Sequence, residues 1–185
     1  MRIAITGTIG SGKSEVSRYL SNLGYRVFDC DLENKKLLKK GSKAYDKIKK
    51  QFPDCFDNRG INKKKIAKVV FNNPDKKKIL ENICHPLLLE ELNKRKDNPL
   101  FCEVPLLFEV KWDKYFDHNL LVVSDEKILK ERLINRGLDI EDINRRLNNQ
   151  MSVKEKINRA EKIIYNNGSL KDLHKKIDNW LKDIC

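Results

Sequence analysis

The sequence contains little that would suit a secreted or a membrane-spanning protein. Its five cysteines form no C-x-x-C pair and show no metal-ligand spacing, which argues against a disulfide framework or a zinc site and favours reduced thiols. No apolar run approaches the roughly 20 residues that a helix needs to cross a bilayer. Met1 leads directly into a strand-like segment, without the pattern of a signal peptide. We therefore expect a cytoplasmic protein without a membrane partner.

The sequence also has fewer acidic than basic residues. The 185 residues include 39 Lys and Arg against 27 Asp and Glu, a formal net charge of +12. A field of that sign attracts polyanions, namely phosphates, nucleotides, nucleic acid and acidic lipid. A biased base composition in the coding genome would enrich lysine as well, together with the abundant asparagine and isoleucine, and composition alone does not separate the two explanations.

Strand and helix patterns alternate along the chain. Five short runs are apolar nearly throughout, which is typical of parallel strands covered on both faces. These runs are RIAIT (2–6), YRVFD (25–29), LFCEVPLL (100–107), NLLVVSD (119–125) and EKIIYN (161–166). After the first run, Val16, Leu20 and Leu23 recur at helical spacing, and Gly24 is placed to end the helix. The alternation predicts an open α/β fold with a five-stranded parallel sheet.

Two segments exceed what a minimal alternation of strands and helices needs. Residues 32–98 are rich in lysine and mainly helical in pattern, and we interpret them as an inserted lobe. Residues 137–155 carry several charges, and we interpret them as a mobile lid. The core of this single domain would then comprise residues 1–31, 99–136 and 156–185.

Residues 7–14, GTIGSGKS, match the pattern G-x-x-x-x-G-K-[ST] in full. The glycines allow the backbone to curl so that successive N–H groups point into one concavity, and a helix beginning near Lys13 adds its positive end. Lys13 can bridge the β- and γ-phosphates of a nucleoside triphosphate, and the Ser14 hydroxyl can ligate Mg²⁺. The alternative is a glycine-rich turn with a surface lysine, but the position between a strand and a helix favours nucleotide binding.

Carboxylates follow at the ends of two predicted strands. The guanine-reading motif NKxD of switch GTPases is absent, so a kinase that needs a carboxylate beside the accepting hydroxyl is the interpretation to test. Asp29 and Asp31 alternate in FDCD, and one of them could face the γ-phosphate if the strand continues; two solvated turn aspartates are the alternative. Glu103 lies in an apolar strand and needs either Mg²⁺, directly or through water, or a structural ion pair.

Arginines follow the fourth predicted strand. Arg132 and Arg136 are four residues apart and so would share one face of a helix, while Arg145, Arg146 and Arg159 come later. Arginines that move over a transferring phosphoryl group can accelerate its transfer strongly. The alternative is a solvated helical face.

Several stretches together resemble the dephospho-coenzyme A kinase family. They are AITGTIGSGKSEVSRYLSNLGYRVFDCD, LENICHPLL, EVPLLFE, RLINR, RLNNQ and AEKIIYNNG, in the family's order across nearly the whole chain. The resemblance implies a P-loop NTPase-type three-layer fold with an inserted substrate lobe and a lid. It also implies transfer of the γ-phosphoryl group of ATP to the ribose 3′-hydroxyl of dephospho-coenzyme A, giving coenzyme A and ADP, the last step of coenzyme A synthesis.

The resemblance also implies residue roles. The implied catalytic residues are Asp31 as the base on the 3′-hydroxyl, Lys13, Arg132 and Arg136. The implied ATP-binding residues are Gly10, Ser11, Gly12, Lys13, Ser14, Glu15, Arg146 from the R-x-x-x-Q element, and Asn166 and Gly168 near the adenine. The implied substrate-binding residues are Asp31, His85 and Leu106, although His85 could equally close the lobe as a structural histidine. The implied Mg²⁺ ligands are Ser14, with Asp29 and Glu103 directly or through water.

The sequence departs from the family pattern at three positions. Thr8 stands where glycine is usual and Glu15 where threonine is common, and the loop tolerates both if the backbone keeps its curl. Glu161 replaces an aspartate, which leaves its role open.

Two other functions remain to be separated from this one. A small kinase for a nucleoside monophosphate or another metabolite would share the loop, the sheet and the lid. A nucleic-acid-stimulated ATPase would account for the charge, but the lysines are spread along the chain and no aromatic stacking run or recognition-helix pattern accompanies them. We expect a monomer that acts on ATP and dephospho-coenzyme A and binds no nucleic acid.

Overall fold

The computed structural model describes residues 1–184 and divides into two compact units. Residues 1–29 and the chain from residue 97 onward form one unit, here called the sheet unit. Residues 30–96 form the other, here called the helical unit. Among residues 1–184, no helix combines the length and the apolarity that crossing a membrane requires.

The strands belong to two sheets. In chain order they are β1 (Arg2–Gly7), β2 (Arg26–Asp29), β3 (Phe56–Asp57), β4 (Gly60–Ile61), β5 (Leu100–Glu103), β6 (His118–Val123) and β7 (Lys162–Tyr165). Five of them form a parallel sheet in the order β2-β5-β1-β6-β7, within the sheet unit. The five-stranded parallel sheet expected from the apolar runs is therefore confirmed. The other two, β3 and β4, pair antiparallel in the helical unit.

The helices fill the intervals between the strands. They are α1 (Lys13–Asn22), α2 (Cys30–Leu37), α3 (Tyr45–Gln51), α4 (Lys63–Asn72), α5 (Pro74–Asn93), α6 (Glu126–Ile134), α7 (Ile140–Asn148), α8 (Val153–Ile157) and α9 (Leu170–Ile184). As predicted, α1 starts within the glycine-rich loop and stops before Gly24, whose φ of 93° is a conformation that glycine adopts readily. Leu23 does not join the buried face of α1, because it caps the helix and is 46% exposed.

The core of the sheet unit forms where α1 and α9 cover the sheet. Ile3, Ile5 and Leu120 from the strands are fully buried against Val16 and Leu20 of α1. From α9 the cluster receives Leu173, Ile177, Trp180 and Leu181. This packing holds the carboxyl ends of the strands, and so the loop after β1, in a fixed frame.

The third predicted strand ends earlier than the apolar pattern indicated, and the second ends at Asp29, the last residue of its apolar run. The run LFCEVPLL forms a strand only as far as Glu103, because Pro105 has no N–H to donate to a ladder and the chain turns there. Residue 31 is not part of a strand either. β2 ends at Asp29, and α2 begins at Cys30, so the alternation of Asp29 and Asp31 does not apply and Asp31 lies in the first turn of a helix. Acidic residues are favourable there because they face the positive end of the helix dipole.

The helical unit contains α2 to α5 around its own core. Ile48 and Phe52 are buried in it, and so are Leu88 and Leu92 of α5. The hairpin of β3 and β4 interrupts the helices, and the helical periodicity gave no sign of it. Its two-residue strands are joined by a turn in which Arg59 N–H donates to Asp57 Oδ1 at 2.9 Å.

Candidate active site

The loop between β1 and α1 has the curled backbone that its glycines allow. Gly10 and Gly12 have φ values of 80° and 103°, in the left-handed region that favours glycine. A Cβ on Gly12 would lie 2.2 Å from Asn166 Nδ2, and one on Gly10 would lie 3.0 Å from Leu133 Cγ. Both positions therefore need glycine for conformation and for space.

Two buried polar side chains, which directly follow β6 and β7, support this loop. Asn166 Nδ2 donates to the Ser11 carbonyl at 2.9 Å, and the Ser124 hydroxyl lies 3.1 Å from the same oxygen. Asn166 is itself fixed by its backbone N–H, which donates to the Val123 carbonyl at 2.7 Å. Asn166 is thus a support of the loop, and its place near the adenine, expected from the family resemblance, stays a prediction. Ser124 was not predicted, since a lone serine after a strand has no distinctive spacing.

The Lys13 ammonium is held inside the loop. Its Nζ donates to the carbonyls of Gly7 and Thr8, each at 2.9 Å, and the residue is only 8% exposed. A cation is therefore already fixed beside the loop amides. An anionic ligand of the loop would meet this charge without a large rearrangement of the backbone.

Three oxygen-bearing side chains come together at the start of α1 and the end of β5. The Ser14 hydroxyl donates to Glu103 Oε1 at 2.8 Å, and Glu103 is 8% exposed. The sheet register pairs Glu103 with Asp29 of β2, so both side chains lie on the same face of adjacent strands. The partner of Glu103 is thus a hydroxyl at the loop rather than a basic side chain.

This set of oxygens suits a hard cation. Mg²⁺ prefers oxygen ligands, and it commonly uses one or two protein groups while phosphate oxygens and waters complete the shell. Among residues 1–184 no cluster of three or more His, Cys, Asp or Glu could form a protein-only metal cage. The oxygens of Ser14, Glu103 and Asp29 therefore fit Mg²⁺ that arrives with a nucleotide.

Arg132 of α6 reaches the same supporting residues. Its guanidinium donates to the Ser124 hydroxyl at 2.9 Å and to the Asn166 carbonyl at 3.0 Å. Burial, and then the like charge of Arg136, lower the pKa of Arg132 from its ordinary value. A bound anion would offset this concentration of positive charge.

The expectation that Arg132 and Arg136 share one helical face is wrong. α6 ends at Ile134, and Arg136 follows in the turn that Gly137 closes with a φ of 84°. The physical reason is a glycine-stabilised helix end, in which Leu138 N–H donates back to the Leu133 carbonyl at 3.2 Å. Arg136 is exposed at this turn.

The later arginines bond to carboxylates and to a backbone carbonyl. Arg145 and Arg146 of α7 both form ion pairs with Asp142 on their own helix, the Arg146 Nε bond being 2.8 Å long. The Arg145 hydrogen bond, ahead of Arg146, lowers the pKa of the Asp142 carboxyl. Arg159 donates to the Phe108 carbonyl at 3.1 Å and pairs with Asp113 at 2.8 Å. The roles expected of these arginines at the nucleotide therefore stay predictions.

The remaining sheet-unit candidates occupy local structural positions. Glu15 pairs with Arg18 at 2.8 Å in the first turns of α1. Gly168 precedes α9, where a Cβ would approach Asp172 Oδ2 to 2.8 Å. Leu106 is half-buried in the turn after Pro105. Glu161, whose role was open, lies 2.9 Å from His118 at the other end of the sheet from the loop.

Asp31 and His85 belong to the helical unit, whereas Lys13, Ser14 and Glu103 belong to the sheet unit. Asp31 is exposed in the first turn of α2. His85 is half-buried within α5, immediately before Pro86. Burial lowers the pKa of His85 from its ordinary value of 6.5; the charge of Glu81 opposes this shift and the charge of Lys77 adds to it.

Comparison with known proteins decides the family. The model of the dephospho-CoA kinase family matches residues 1–172 of the 185-residue chain. The chain belongs to the dephospho-CoA kinase family. The chain is similar to a dephospho-CoA kinase of Fusobacterium nucleatum, with 37% identity covering 100% of this chain and 98% of the relative. It is also similar to a dephospho-CoA kinase of Aquifex aeolicus, with 35% identity covering 99% of this chain and 97% of the relative.

A solved structure agrees with this assignment. The crystal structure of TT1252 from Thermus thermophilus has a TM-score of 0.89 and 34% identity to this chain, covering 100% of it and 98% of TT1252. The P-loop α/β fold expected from the sequence is confirmed, and so is membership of the dephospho-CoA kinase family. The protein is accordingly an enzyme of that family, a dephospho-CoA kinase that carries out the final step of coenzyme A synthesis.

Proposed function

We propose that the protein transfers the γ-phosphoryl group of ATP to the ribose 3′-hydroxyl of dephospho-coenzyme A, giving coenzyme A and ADP. The observation that carries the proposal is the family match over residues 1–172, which includes the complete phosphate loop and the carboxylates after β2 and in β5. In this reaction the 3′-oxygen attacks the γ-phosphorus, the hydroxyl proton passes to a base, and the bond to the β–γ bridging oxygen breaks.

Lys13 and the loop amides are proposed to bind the phosphates. The Lys13 ammonium bonds to the Gly7 and Thr8 carbonyls at 2.9 Å. In the ATP complex the ammonium would replace those bonds with hydrogen bonds to phosphate oxygens. The amides from Gly10 to Glu15 would donate to the same phosphates at the positive end of α1. Asn166 and Ser124 would keep the curl of the loop fixed from below, because they bond to the Ser11 carbonyl.

Ser14, Glu103 and Asp29 are the residues that would hold Mg²⁺, directly or through water. When bound, the ion would supply positive charge beside the transferring phosphoryl oxygens. The Ser14–Glu103 hydrogen bond of 2.8 Å supports this assignment, since it already orients both oxygen groups at the loop.

Asp31 is proposed as the base that accepts the 3′-hydroxyl proton. It follows Asp29, the last residue of β2, by two positions, and it is exposed, so a ligand can reach it. Such a base contributes roughly 10²–10⁴ in rate. His85 and Leu106 are proposed to contact the acceptor, and Arg132 and Arg136 to offset phosphate charge, with Arg146 joining them if α7 approaches the nucleotide.

The acceptor is tested by incubating the protein with ATP, Mg²⁺ and dephospho-coenzyme A, and separating the products by chromatography. We expect coenzyme A and ADP in equal amounts. Parallel reactions with shikimate and with nucleoside monophosphates serve as controls for other small-molecule kinases of this fold. Phosphorylation of one of those acceptors in preference to dephospho-coenzyme A would reject the proposal.

We further propose that the enzyme is a cytoplasmic monomer that acts on these two substrates without nucleic acid. The four cysteines within residues 1–184 form no disulfide, which suits a reducing compartment. Light scattering during size-exclusion chromatography would measure the oligomeric state. If RNA and DNA do not stimulate ATP turnover, that result would support the proposal that the enzyme acts without nucleic acid.

A further inference from the structure

The end of the lid segment, residues 137–155, is tied to the phosphate loop by one side chain. Gln150 follows α7 and is half-buried. Its Oε1 accepts the backbone N–H of Ile9 at 3.1 Å, across 141 positions of sequence. Gln150 is the last residue of the R-x-x-x-Q element, in which the family resemblance implies a role for the arginine alone.

The side chain of Ile9 is held in place as well. It packs against a cluster of Leu129 and Leu133 from α6 and Ile143 from α7. Ile9 is thus fixed through both its backbone and its side chain. Its N–H donates to Gln150, whereas the Ser11 N–H donates within the loop, to the Thr8 carbonyl at 3.2 Å.

The chain immediately after Gln150 is anchored to the turn that follows β5. Met151 N–H donates to Glu109 Oε1 at 3.0 Å. The same oxygen lies 2.8 Å from the ammonium of Lys156, whose side chain has no exposed surface. Gln150 therefore projects from a rigid base, so that its amide oxygen has a defined position relative to the loop.

Open space adjoins this hydrogen bond. Thr8, next to Ile9, and Met151, next to Gln150, line the same cavity of about 530 Å³. The remaining apolar lining includes Val123, Leu129, Leu147 and Ile157. Packing does not fill the space beside the loop here, so the Gln150 bond is well placed to fix the loop's position.

We propose that Gln150 is a positioning residue of the phosphate loop. By holding the Ile9 amide, it orients the amides from Gly10 onward for the γ-phosphoryl group, and it transmits the position of the lid base to them. The inference rests on the proposed function for its catalytic consequence only. A small misplacement of positioned groups costs about 10²-fold in rate, which is the scale of effect to look for.

The test compares Gln150→Met with Gln150→Glu. Methionine has nearly the same shape but no acceptor oxygen, whereas glutamate retains the acceptor. For Gln150→Met we expect kcat to fall about tenfold or more while KM for ATP stays within about threefold, because Lys13 and the later amides still bind ATP. For Gln150→Glu we expect kcat within about threefold of the wild-type value.

A second readout needs neither nucleotide nor acceptor. In the nucleotide-free protein, the Ile9 amide of Gln150→Met should exchange with solvent about tenfold faster or more, as followed by NMR. Asn149→Ala is the matched control, because the Asn149 side chain bonds within the lid, to the Arg145 carbonyl at 2.7 Å. It should leave the Ile9 exchange rate and kcat within about twofold of wild type.

The proposal would be overturned if Gln150→Met kept the wild-type Ile9 exchange rate and the wild-type kcat. It would also be overturned if Asn149→Ala changed both quantities as much as Gln150→Met does. If Gln150→Met does not fold by circular dichroism, Gln150→Ser, which is too short to reach Ile9, takes its place. Should the wild-type enzyme fail to make coenzyme A, the proposed function fails, but the exchange comparison still decides whether Gln150 holds the loop.

Discussion

Single residues of the proposed site differ in how firmly the protein holds them. Glu103 is nearly buried and accepts a hydrogen bond from Ser14, whereas Asp31 is exposed in the first turn of α2. A carboxylate that orients a metal gains from being fixed, since reorganisation is then avoided. A carboxylate that accepts a proton from a substrate hydroxyl must be reachable by that hydroxyl. These surroundings support different roles for the two groups.

Asp31→Asn should abolish most turnover with little effect on ATP binding. The amide cannot accept the 3′-hydroxyl proton, so kcat should fall by roughly 10²–10⁴. Calorimetric titration should give a dissociation constant for ATP within about threefold of wild type, because the phosphate groups are bound elsewhere. Asp46→Asn, in the first turn of α3 in the same unit, is the matched control and should retain full activity. A parallel loss of ATP affinity in Asp31→Asn would contradict a role at the acceptor.

His85 should make stability fall in mild acid. Burial lowers its pKa in the folded protein below the ordinary 6.5. As pH falls below the unfolded value, the unfolded chain takes up a proton first, so the free energy of unfolding decreases until the folded pKa is passed. Above both pKa values the residue is neutral in both states, and this contribution is fully present.

Urea denaturation at about pH 7.5 and about pH 5.5 measures this effect. The midpoint should drop less in His85→Gln than in the wild-type protein. His174→Gln provides the control, because His174 stacks on Tyr19 in the sheet unit, with ring centroids 3.8 Å apart. If His85→Gln keeps the whole pH dependence of the wild type, carboxylates rather than His85 are responsible for it.

At the level of elements, a buried ion pair joins α8, which follows the lid segment, to the turn after β5. The Lys156 ammonium in α8 has no exposed surface and lies 2.8 Å from Glu109, whose side chain is 17% exposed. Buried ion pairs add little net stability compared with apolar replacements, but removing one partner leaves an uncompensated charge. The pair therefore serves to place α8 and the base of the lid.

Lys156→Met should destabilise the protein by about 2 kcal/mol, since Glu109 then keeps the Met151 N–H but loses its cation. The double variant Lys156→Met with Glu109→Leu should recover part of that loss, because neither charge remains buried. Urea denaturation of both single variants and of the double variant completes the cycle. Additive losses in the double variant would show that the two side chains do not interact.

An element can be predicted from sequence when the residues that determine it are close together in the chain. Buried parallel strands produce uninterrupted apolar runs, so all five strands of the large sheet could be located from sequence. Their ends depend on single residues: Pro105 stops β5 early, and the helix that starts at Cys30 removes Asp31 from β2. The hairpin of β3 and β4 is too short to show any period.

The same distinction applies to the site. The residues of the phosphate loop are contiguous, so their pattern in the sequence is enough to predict the loop. Ser124 and Gln150 contact the loop across 113 and 141 positions, and such contacts leave no spacing to recognise. Arg146 belongs to a family motif, yet its ion pair with Asp142 on α7 does not follow from that motif.

For the whole molecule, the open question is whether the net charge of +12 serves the reaction. Both substrates of the proposed reaction carry several negative charges, and a positive field raises the rate of encounter with anions. In the helical unit, Lys47 and Lys50 line a cavity of about 360 Å³ with Ile79 and Ile83, which combines cations with an apolar wall. An anionic ligand with an apolar portion suits such a surface.

Raising NaCl from about 50 mM to about 500 mM should lower kcat/KM for dephospho-coenzyme A about fivefold, with kcat itself within about twofold, because salt screens the encounter and not the bound complex.

Two double variants of equal charge change locate the effect of salt on kcat/KM. Lys47→Gln with Lys50→Gln removes cations from the cavity in the helical unit, and Lys171→Gln with Lys175→Gln removes two from α9. The first pair should lower kcat/KM at low salt and flatten its salt dependence, whereas the second should leave both close to wild type. Equal behaviour of the two pairs would mean that the lysines reflect the composition of the chain and do not guide the acceptor.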